Sequence, residues 1–400
     1  MTAALYLGIV LLCLTATSWL VAEASVARLS VQRTVEPARL TAGESSSISV
    51  VLRHAGRWPI PWLRFEDVLD EGLLADGSTA AFAPVAAGGD LRLRYELPQL
   101  PRGLHRVGPS VAEGSGPFGL LRRTRQFEGS EACFLTVEPR TVPLDSMRAA
   151  GGSPIAEVRR RSLFEDPSRF AGVRRFRRGD GLRRVHWRAT ARTGELQSKA
   201  FEPAVLGGAL ICLELGADAW ADRPVAQREL AITAAASLAE ALLAAGRRVG
   251  LLANAADAAE AFGPDFPGEL LRAANPRRAQ GAESALRRPL EVAAGKGPAQ
   301  RALIAGALAR AQVATGPTLA ALLAAEHRRL PRGLVALVVT PRLDAPMAAS
   351  LGVLRRSGFS TSALLVRGRH ERVAVPNLSG TRIHSVCDER ELMTLAGGTL

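Results

Sequence analysis

The distribution of hydrophobic residues divides the chain into three successive regions. Ala3 to Ala22 is a run of about 20 residues without a charge, the length that crosses the hydrocarbon core of a bilayer. Between residues 29 and 140, hydrophobic and polar residues alternate in short stretches, as they do in half-buried strands. From residue 203 onward, continuous apolar runs alternate with longer stretches rich in Ala and Leu. The pattern predicts a transmembrane anchor over residues 1–24, an all-β domain and an α/β domain.

Residues 29–140 are predicted to form a small β-sandwich. The clearest alternation places four side chains on one face of a strand: Leu91, Leu93, Tyr95 and Leu97. Similar stretches predict strands at Leu29–Val35, Ser47–Arg53 and Cys133–Val137. Turn signals containing Gly separate the stretches, and short strands at this spacing are typical of sandwiches.

Residues 203–400 are predicted to form a parallel, doubly wound α/β sheet. Continuous apolar runs, expected for strands covered on both faces, lie at Ala209–Leu215, Val249–Leu252, Leu334–Thr340 and Thr361–Val366. Helical stretches are predicted at Pro224–Ala245, Gln300–Ala325, Asp344–Ser357 and Glu389–Leu395. Alternation of strands and helices of this kind indicates a parallel sheet with helices on its faces.

The N-terminal apolar run has two interpretations. No Lys or Arg precedes it, whereas Arg28 and Arg33 follow it, so the positive-inside rule places the remainder of the chain in the cytoplasm. The alternative is a cleaved signal peptide, with Ala22-Glu23-Ala24 as its cleavage site. Because signal peptides carry a basic n-region and a shorter apolar core, we favour a single-pass anchor in the cell membrane.

A basic segment lies between the β and α/β regions. Of the formal net charge of +13, residues 155–200 contribute +8, from 13 Arg and Lys against 5 Asp and Glu. Residues 141–168, rich in Pro, Gly and Arg, are predicted to be a linker. Residues 169–202 combine arginines with two predicted turns, at Arg178–Gly181 and at Arg192–Glu195. Since Arg is permanently charged and can bind carboxylate or phosphate through two hydrogen bonds, this segment is the first candidate for a binding site.

Two interpretations of this segment remain open. In the first, a cluster binds carboxylates of a partner through Arg183, Arg184, Arg188 and Arg192. In the second, these arginines are held inside the protein by Asp180, Glu195 and Glu202. Val185, Trp187 and Ala189 alternate with polar residues, so an extended segment would place Trp187 in the core.

The sequence contains no catalytic motif that we can assign. GxxxxGK[ST], G-x-S-x-G and H-E-x-x-H are absent. His186 has no Ser or Cys nucleophile beside it, so we predict a structural role in hydrogen bonding. The cysteines Cys13, Cys133, Cys212 and Cys387 are far apart, which predicts buried free thiols in a reducing compartment and no zinc or redox motif. We therefore predict a protein that is not an enzyme.

The order of residues in the basic segment resembles the signature of a bacterial family, domain of unknown function 58 (DUF58). The family pattern is close to R-x-Y-x-x-G-D, R-x-I-H-W-K, A-R, L and K-x-F-E. The matching residues, which we take as the candidate interaction residues, are Arg175, Gly179, Asp180, Arg184, His186, Trp187, Arg188, Arg192, Lys199 and Glu202. Phe176 stands where Tyr is usual, and Arg188 where Lys is common. Pro101–Pro109 and Gly116–Leu120 resemble the end of the family's β-domain, with Gly116 in place of an Asp.

The resemblance implies an architecture and a set of partners. Members look like proteins with N-terminal membrane segments, an Ig-like β-sandwich and a von Willebrand A-like domain. They are typically encoded beside MoxR-type AAA+ ATPases and transglutaminase-like membrane proteins. The resemblance implies a non-enzymatic partner of such an ATPase in chaperone-like or cell-envelope processes. Members usually carry two membrane helices, whereas this sequence predicts one.

A von Willebrand A-like domain would place a metal-binding turn after the first strand of its sheet. The usual Asp-x-Ser-x-Ser supplies a carboxylate and two hydroxyls to a hard cation. The corresponding residues here are Glu214, Gly216 and Asp218, so both hydroxyls are missing. Thr340 and Asp344, after the third strand, could add oxygens. We predict that this degenerate site binds neither Mg²⁺ nor Ca²⁺ and that the protein has no cofactor.

These observations leave two functional hypotheses. The leading one is a membrane-anchored cytoplasmic adaptor or assembly factor that binds an acidic partner, a MoxR-type ATPase, and other membrane proteins of the same operon. The alternative is a protein that binds anionic lipid or nucleic acid through the Arg-rich segment, with an affinity that falls steeply with salt. Nucleic acid is disfavoured because exposed aromatic residues do not interleave with the arginines if Trp187 lies in the core.

Overall fold

The computed structural model describes residues 2–70, 73–116, 121–127, 133–144, 165–176, 185–203, 208–265, 289–331, 333–369, 371, 378 and 380–394. The chain divides into two compact units. Unit 1 comprises Met1–Pro139 and Ala258–Gly268, and unit 2 comprises Arg140–Asp257 and Glu269–Leu400.

Unit 1 begins with an apolar helix, α1 (Thr2–Ala27). Its part Leu5–Ala24 is long and apolar enough to cross a membrane, judged by length and composition. Three residues spaced four apart near its C-terminal end, Ser18, Ala22 and Val26, are buried, while most of the remaining helix surface is exposed. The predicted apolar helix is present, and its last turns belong to the folded domain.

The strands of unit 1 form two sheets around one core. They are β1 (Leu29–Glu36), β2 (Arg39–Thr41), β3 (Ser46–His54), β4 (Ile60–Leu69), β5 (Ala80–Val85), β6 (Asp90–Leu97), β7 (Gly103–Ser115), β8 (Arg122–Phe127) and β9 (Cys133–Glu138). One sheet has the order β1-β3-β6, and the other the order β2-β9-β7-β4-β5 with β8 beside β7. Residues of both sheets share a hydrophobic core, so the unit contains a β-sandwich. Leu93, Tyr95 and Leu97 lie in that core, as their alternation predicted.

A buried polar network crosses the interior of this sandwich. Arg33 on β1 pairs with Asp67 on β4, and both side chains are almost fully buried. Tyr95 donates a hydrogen bond of 2.7 Å to Asp67, and Ser110 donates another of 2.8 Å. Burial, followed by the negative charge of Asp67, raises the pKa of Tyr95. Arg33 therefore compensates the charge of Asp67 inside the domain.

Unit 2 contains strands and helices in alternation. Its strands are β10 (Glu165–Arg175), β11 (Gln197–Pro203), β12 (Gly208–Leu213), β13 (Arg248–Ala253), β14 (Ala255–Asp257), β15 (Leu290–Gly295), β16 (Ala311–Val313), β17 (Leu334–Thr340), β18 (Ser360–Val366) and β19 (Arg382–Val386). Its helices are α2 (Trp187–Thr193), α3 (Ala217–Trp220), α4 (Val225–Ala244), α5 (Gly297–Arg310), α6 (Leu319–Glu326), α7 (Ala345–Arg356) and α8 (Glu389–Met393). A 3₁₀ helix at Ala258–Asp265 lies in the short second part of unit 1.

The main sheet of unit 2 has the order β15-β13-β12-β17-β18-β19. Residues that alternate along β12 join two different cores: Ala209 and Ile211 pack with α4 and α5, whereas Leu210 and Cys212 pack with α6 and α7. Helices therefore cover both faces of this sheet. The sheet is mixed, because β15 runs antiparallel to β13 while the other pairs are parallel. The prediction of an entirely parallel sheet was wrong at this edge, where a strand has only one neighbour to match.

One long predicted helix is two helices. The stretch Gln300–Ala325 is interrupted where α5 ends at Arg310, and the chain continues through β16 before α6 begins. Thr318 caps α6, its side chain accepting a hydrogen bond from the Ala321 amide at 3.2 Å. Ala and Leu continue through the break, so composition alone predicts one helix. The pair Gly316-Pro317 is the local signal of the interruption.

The predicted linker 141–168 is partly folded. Val142 and Leu144 are buried in the core of unit 2, and the Val142 amide donates a hydrogen bond of 3.0 Å to the Ser237 hydroxyl. Strand β10 begins at Glu165, before the predicted start of the signature segment. The linker prediction is wrong at both ends because single apolar residues within a polar stretch provide no periodicity. Residues 145–164 lie outside the described residues.

All four cysteines are free thiols, as predicted. Cys212 is fully buried in β12, and burial raises its pKa to about 12. Cys133 and Cys387 are half-buried, and Cys13 is exposed on α1. Within the protein, burial is thus complete for Cys212, while Cys13 lies in the apolar span Leu5–Ala24, most of which the described protein does not cover.

Candidate functional site

The signature segment folds into a small module, here called the signature module, made of β10, α2 and β11. The two strands pair antiparallel, with Val173 opposite Lys199 and Arg175 opposite Gln197. Val185 is buried and bridges to Ser198 on the other side of β11. Ser198 thus lies between β10 on one side and Val185 on the other. This pairing of Val185 fixes the position at which α2 begins.

The role of His186 is structural, as the sequence predicted. Its Nδ1 accepts a hydrogen bond of 3.1 Å from the Ala189 amide, so the imidazole caps the N-terminus of α2. The His186 amide itself donates to the Gln197 carbonyl at 2.8 Å. The helix ends at Gly194, whose φ of 70° is the left-handed conformation that glycine adopts without strain. The Nδ1 of His186 thus accepts from a main-chain amide, as the side chain of a helix N-cap does.

Trp187 lies on the surface, and its predicted place in the core is wrong. It is the first residue of α2 and is 66% exposed. The alternation from Val185 to Ala189 indicated an extended strand, but the cap at His186 begins a helix that turns the indole outward. No residue of this helix is buried. The signals for a helix were present in the sequence: the Ala-rich stretch ends at Gly194, a helix stop.

Two apolar side chains of the module are also exposed. Val173 is 42% exposed on β10, and Leu196 is 47% exposed just before β11. The Phe176 amide donates to the Leu196 carbonyl at 3.0 Å, which holds this edge of the module together. Sequence reasoning did not select Val173, whereas Leu196 is the L of the family signature. Large apolar residues on the surface of a polar module are features of protein interfaces.

The basic residues of the family signature that the structure describes fall into three groups. Arg188 and Arg192 are exposed on α2, and Lys199 is half-buried on β11. Arg175 is exposed and forms an ion pair of 2.8 Å with Glu195. Glu195 thus pairs with an arginine, but with Arg175 and at the surface, so this pair is not the internal network of the second interpretation. The remaining signature residues Gly179, Asp180 and Arg184, and the side chain of Glu202, lie outside the described residues.

A cleft of about 140 Å³ lies at the carboxyl ends of β12 and β17. From β12 the chain goes to β13 on one side, and from β17 it goes to β18 on the other side. This is the switch point where α/β sheets usually bind ligands. All five residues of the degenerate metal motif line the cleft: Glu214, Gly216, Asp218, Thr340 and Asp344. The sequence therefore located this cleft correctly.

Glu214 uses its carboxylate for internal hydrogen bonds. Its Oε1 accepts from Asn254 Nδ2 at 2.6 Å and from the Leu319 amide at 3.4 Å. Burial raises the pKa of Glu214, while the hydrogen bonds from Asn254 and Leu319 act in the opposite direction. A Cβ on Gly216 would lie 2.8 Å from Asn254 Nδ2, so a serine here would require the Asn254 or Glu214 side chain to move. Asn254 was missed by sequence reasoning, although a polar residue just after a buried strand is a usable signal.

Thr340 and Asp344 also use their oxygens within the protein. Thr340 donates to the Arg342 carbonyl at 2.8 Å, and Asp344 Oδ1 accepts from the Met347 amide at 3.0 Å, capping α7. The Arg342 guanidinium lies 3.6 Å from Asp344. Nitrogen donors at Glu214 and a cation beside Asp344 are unsuited to a divalent metal, which needs several oxygens directed at one point. Among the described residues, no cluster of three His, Cys, Asp or Glu side chains could hold a metal.

Comparison with known proteins identifies relatives without a described activity. The family model "Protein of unknown function DUF58" matches residues 172–380, about half of the chain. The "Uncharacterized protein YeaD" of Bacillus subtilis (strain 168) is 25% identical over 182 residues. That match covers 43% of this chain and 44% of the relative, so the chain spans less than half of the relative's length.

Solved structures similar to part of the chain have low overall scores. A crystal structure of a CARDB domain from Pyrococcus furiosus, in complex with di-metal ions, is 11% identical and has a TM-score of 0.20. The match covers 27% of this chain and 86% of the CARDB chain. A cryo-electron microscopy structure of Escherichia coli alpha-2-macroglobulin is 14% identical, covers 33% of this chain and 10% of that chain, and has a TM-score of 0.21. TM-scores this low do not define a shared fold.

Proposed function

Since the chain belongs to the DUF58 family of proteins of unknown function, we propose its role from its own surfaces: it is a membrane-anchored, non-enzymatic adaptor that binds a partner protein through the signature module. The observation that carries the proposal is the exposure of this module. Trp187 is 66% exposed on a helix with no buried residue, beside Arg188 and close in sequence to Leu196. Exposed Trp and Arg are the residue types that contribute most to protein interfaces.

The charge of the module favours an acidic partner. Arg188 and Arg192 are exposed on α2, while the negative charge of Glu195 is compensated by Arg175. Arginine binds carboxylates with two parallel hydrogen bonds, and this geometry gives specificity as well as attraction. An apolar centre at Trp187 with a basic border therefore suits an acidic surface of another protein.

The anchor is supported by the packing of α1. Ser18 and Ala22 are fully buried against the β-domain, and Val26 is part of its core. Cleavage after Ala24 would remove the first two of these residues and expose the surface that they cover. A signal peptide is discarded after cleavage and has no reason to complete a folded domain. The packing thus favours a retained anchor. We place the domains on the cytoplasmic side from the positive-inside rule, because Arg28 and Arg33 follow the apolar span.

The finer assignments are proposals that the family resemblance suggests. We assign the partner to the MoxR-type AAA+ ATPases, together with membrane proteins encoded in the same operon. We assign unit 2 to the von Willebrand A-like type. Helices on both faces and a ligand-sized cleft at the carboxyl ends of β12 and β17 support that assignment. The contacts of Glu214 and Asp344 support a form of this domain that works without a metal.

The test is binding of the full chain, in detergent micelles, to a purified MoxR-type ATPase from the same organism. We expect Trp187→Ala to weaken binding by about 2 kcal/mol or more, the range of interface hot spots. Arg188→Glu combined with Arg192→Glu should weaken it further through repulsion of an acidic surface. Arg328→Glu combined with Arg329→Glu is the matched control. It makes the same change of charge on two exposed residues of unit 2 that lie outside the signature module.

The outcomes separate the proposed adaptor from the alternative. Equal binding by the signature and control variants, in proteins with unchanged circular dichroism, would exclude the module as the contact. Gel shifts with DNA and RNA, and flotation with anionic vesicles, test the alternative at physiological salt. If the protein binds nucleic acid or vesicles in those assays, if the binding requires Arg188 and Arg192, and if it falls steeply with salt, the adaptor proposal is replaced by a nucleic-acid or lipid function.

A further inference from the structure

We propose that the β-domain rests on the bilayer through the end from which α1 leaves it, and that this end binds anionic lipid headgroups. The end, here called the proximal end, consists of the loop 55–59, the first residues of β4, Phe82 of β5 and Arg122 of β8. The inference rests on the membrane anchor of the proposed function. It concerns a surface of unit 1 that the proposed partner contact does not use.

The first step is that α1 packs closely against β7. Val26 lies beside Gly114, where a Cβ would be 3.0 Å from Val26 Cγ2. Ser18, two turns earlier, lies so close to Gly116 that a Cβ there would collide with the main-chain oxygen of Ser18. Ala22 lies between them and is fully buried. The two glycines let the helix approach the strand, so this contact is specific.

The second step is that β8 fixes the C-terminal end of α1. The guanidinium of Arg125 donates through one nitrogen to three carbonyls, those of Val26 at 3.2 Å, Ala27 at 2.7 Å and Leu29 at 3.0 Å. The carbonyls of Val26 and Ala27 end the helix and carry partial negative charge, so a cation stabilises them, while the Leu29 carbonyl belongs to β1. The end of α1 is thereby attached to the strand that follows it and to β8.

Arg123, the neighbouring inward-facing arginine of β8, contacts the side of α1. It forms an ion pair of 2.8 Å with Glu23, and its guanidinium carbon lies 5.6 Å from the centre of the Trp19 ring. Glu23 is the one acidic residue of α1, and it is neutralised at the level of the domain. Trp19 marks the level at which aromatic residues usually meet the headgroups.

The third step is the direction of the helix. From Val26 beside Gly114 to Ser18 beside Gly116, α1 runs toward the C-terminal end of β7, and its earlier residues extend past that end. The apolar span Leu5–Ala24 is about 30 Å long, the thickness of the hydrocarbon core. From Leu5 to Ser18 the helix measures only about 20 Å. A bilayer that covers the apolar span therefore reaches the level of Gly116, and the proximal end must touch it.

The proximal end carries exposed aromatic residues. Trp58 is 66% exposed and Phe82 is 62% exposed. Phe82 forms an edge-to-face contact with Trp62, with 5.0 Å between ring centres. The loop that bears Trp58 is fixed at this end, because the Ala55 amide donates to the carbonyl of Arg28, the residue after α1, at 3.0 Å. Trp is the residue that most favours the interface between headgroups and hydrocarbon.

Exposed arginines accompany these rings. The Arg122 guanidinium lies over the Trp62 ring at 4.9 Å, and its pairing with Glu113 is loose at 3.4 Å. Arg28, Arg53 and Arg57 are exposed at the same end. An arginine near an anionic membrane surface contributes about 1 kcal/mol of attraction. Rings at the headgroup level and cations above them suit an anionic leaflet as the occupant of this surface.

The experiment measures tryptophan fluorescence of the full chain in nanodiscs whose lipids carry bromine near the headgroup. Trp19→Phe removes the signal of the anchor. Trp58 and Trp62 then report docking above the emission of Trp187 and Trp220, which belong to unit 2. We expect quenching to persist in this variant and to be lost when Trp58→Phe and Trp62→Phe are added. Quenching should be greater in discs of phosphatidylglycerol and phosphatidylcholine than in phosphatidylcholine alone.

Charge reversal tests the headgroup contact. Arg57→Glu should lower the ratio of docked to undocked domains at least about fivefold in anionic discs. Arg39→Glu is the matched control, because Arg39 is exposed on β2, which follows the far end of β1. Equal quenching in these two variants would overturn the headgroup contact.

The remaining outcomes distinguish this inference from the proposed function. If the wild-type chain is quenched and Trp19→Phe alone abolishes all quenching, the anchor stands and docking of the proximal end is overturned. If the wild-type chain is not quenched in any disc, the anchor itself fails, and this inference fails with it.

Discussion

The interior of the β-domain and the surface of the signature module use the same residue types for different purposes. In the β-domain, Arg33 and Asp67 bond to each other inside the sandwich, with side chains 2% and 0% exposed. In the signature module, Arg175 and Glu195 form a similar pair that is 78% and 54% exposed. Both arginines lie on strands. The difference teaches that an arginine on a strand has no fixed role, because burial decides whether it stabilises the fold or remains available to a partner.

Of the substitutions that test this comparison, removal of the buried Asp67 carboxylate should change the free energy of unfolding the most. Asp67→Ala leaves the Arg33 charge buried without its carboxylate, which we expect to lower the free energy of unfolding by about 3–5 kcal/mol. Urea denaturation of the full chain in detergent micelles measures this loss of stability. Glu66→Ala, one residue earlier, is the control, since Glu66 pairs with Arg64 at the surface and should matter by less than about 1 kcal/mol. Equal losses in the two variants would contradict a special role for the network.

Val185 and Trp187 lie two residues apart in the signature module and allow a buried side chain to be compared with an exposed one. Val185→Ala should cost about 1.5 kcal/mol of unfolding free energy, because Val185 is buried beneath the module. Trp187→Ala should change it by less than about 0.5 kcal/mol, because the indole is exposed, although it should weaken partner binding. The same denaturation series measures both. A large loss of stability in Trp187→Ala would mean that the ring supports the fold, and its role in binding would lose its main support.

Glu214 is a buried acid that is held mainly by hydrogen bonds from neutral groups, with a smaller contribution from the charge of Arg342. Burial raises its pKa in the folded protein, so the folded state holds a proton that the unfolded state has already released. Stability should therefore fall as the pH rises from the unfolded value, near 4.3, through the raised folded value. Glu214→Gln keeps the acceptor for Asn254 and should remove this part of the pH dependence. Thermal unfolding of both proteins from pH 4 to pH 8 checks the sign, and a wild-type protein that gains stability relative to the variant over this range would contradict it.

The smallest effect is expected at the exposed ion pair. Glu195→Gln should change the free energy of unfolding by less than about 0.5 kcal/mol, because Arg175 and Glu195 are both solvated. The same substitution raises the positive charge of the module, so it should strengthen binding to an acidic partner slightly. Titration of the ATPase against both proteins at low and high salt measures this. Weaker binding in the variant would indicate that Glu195 itself contacts the partner.

The sequence predicted the architecture better than the details of either site. Apolar runs located the strands of the main sheet, and the alternation at Leu93–Leu97 located a core face of the sandwich. Gly216 and Glu214 also identified the cleft in advance. Trp187 was placed wrongly, because five residues of alternation are compatible with a strand and with a helix whose cap lies at His186. Val173 and Asn254 were missed, since a single residue gives no periodic signal.

The sequence by itself determined which residues form the apolar helix, which faces of the strands are hydrophobic, and which family signature the chain carries. These are local properties, written in spacings of two to four residues. Only the tertiary structure decided that Arg33 is buried with Asp67, that Trp187 is exposed, and that Ser18 packs against Gly116. Each of these depends on contacts between residues far apart in the chain. The burial of a side chain and its hydrogen-bond partners are properties of such contacts, and a local pattern does not contain them.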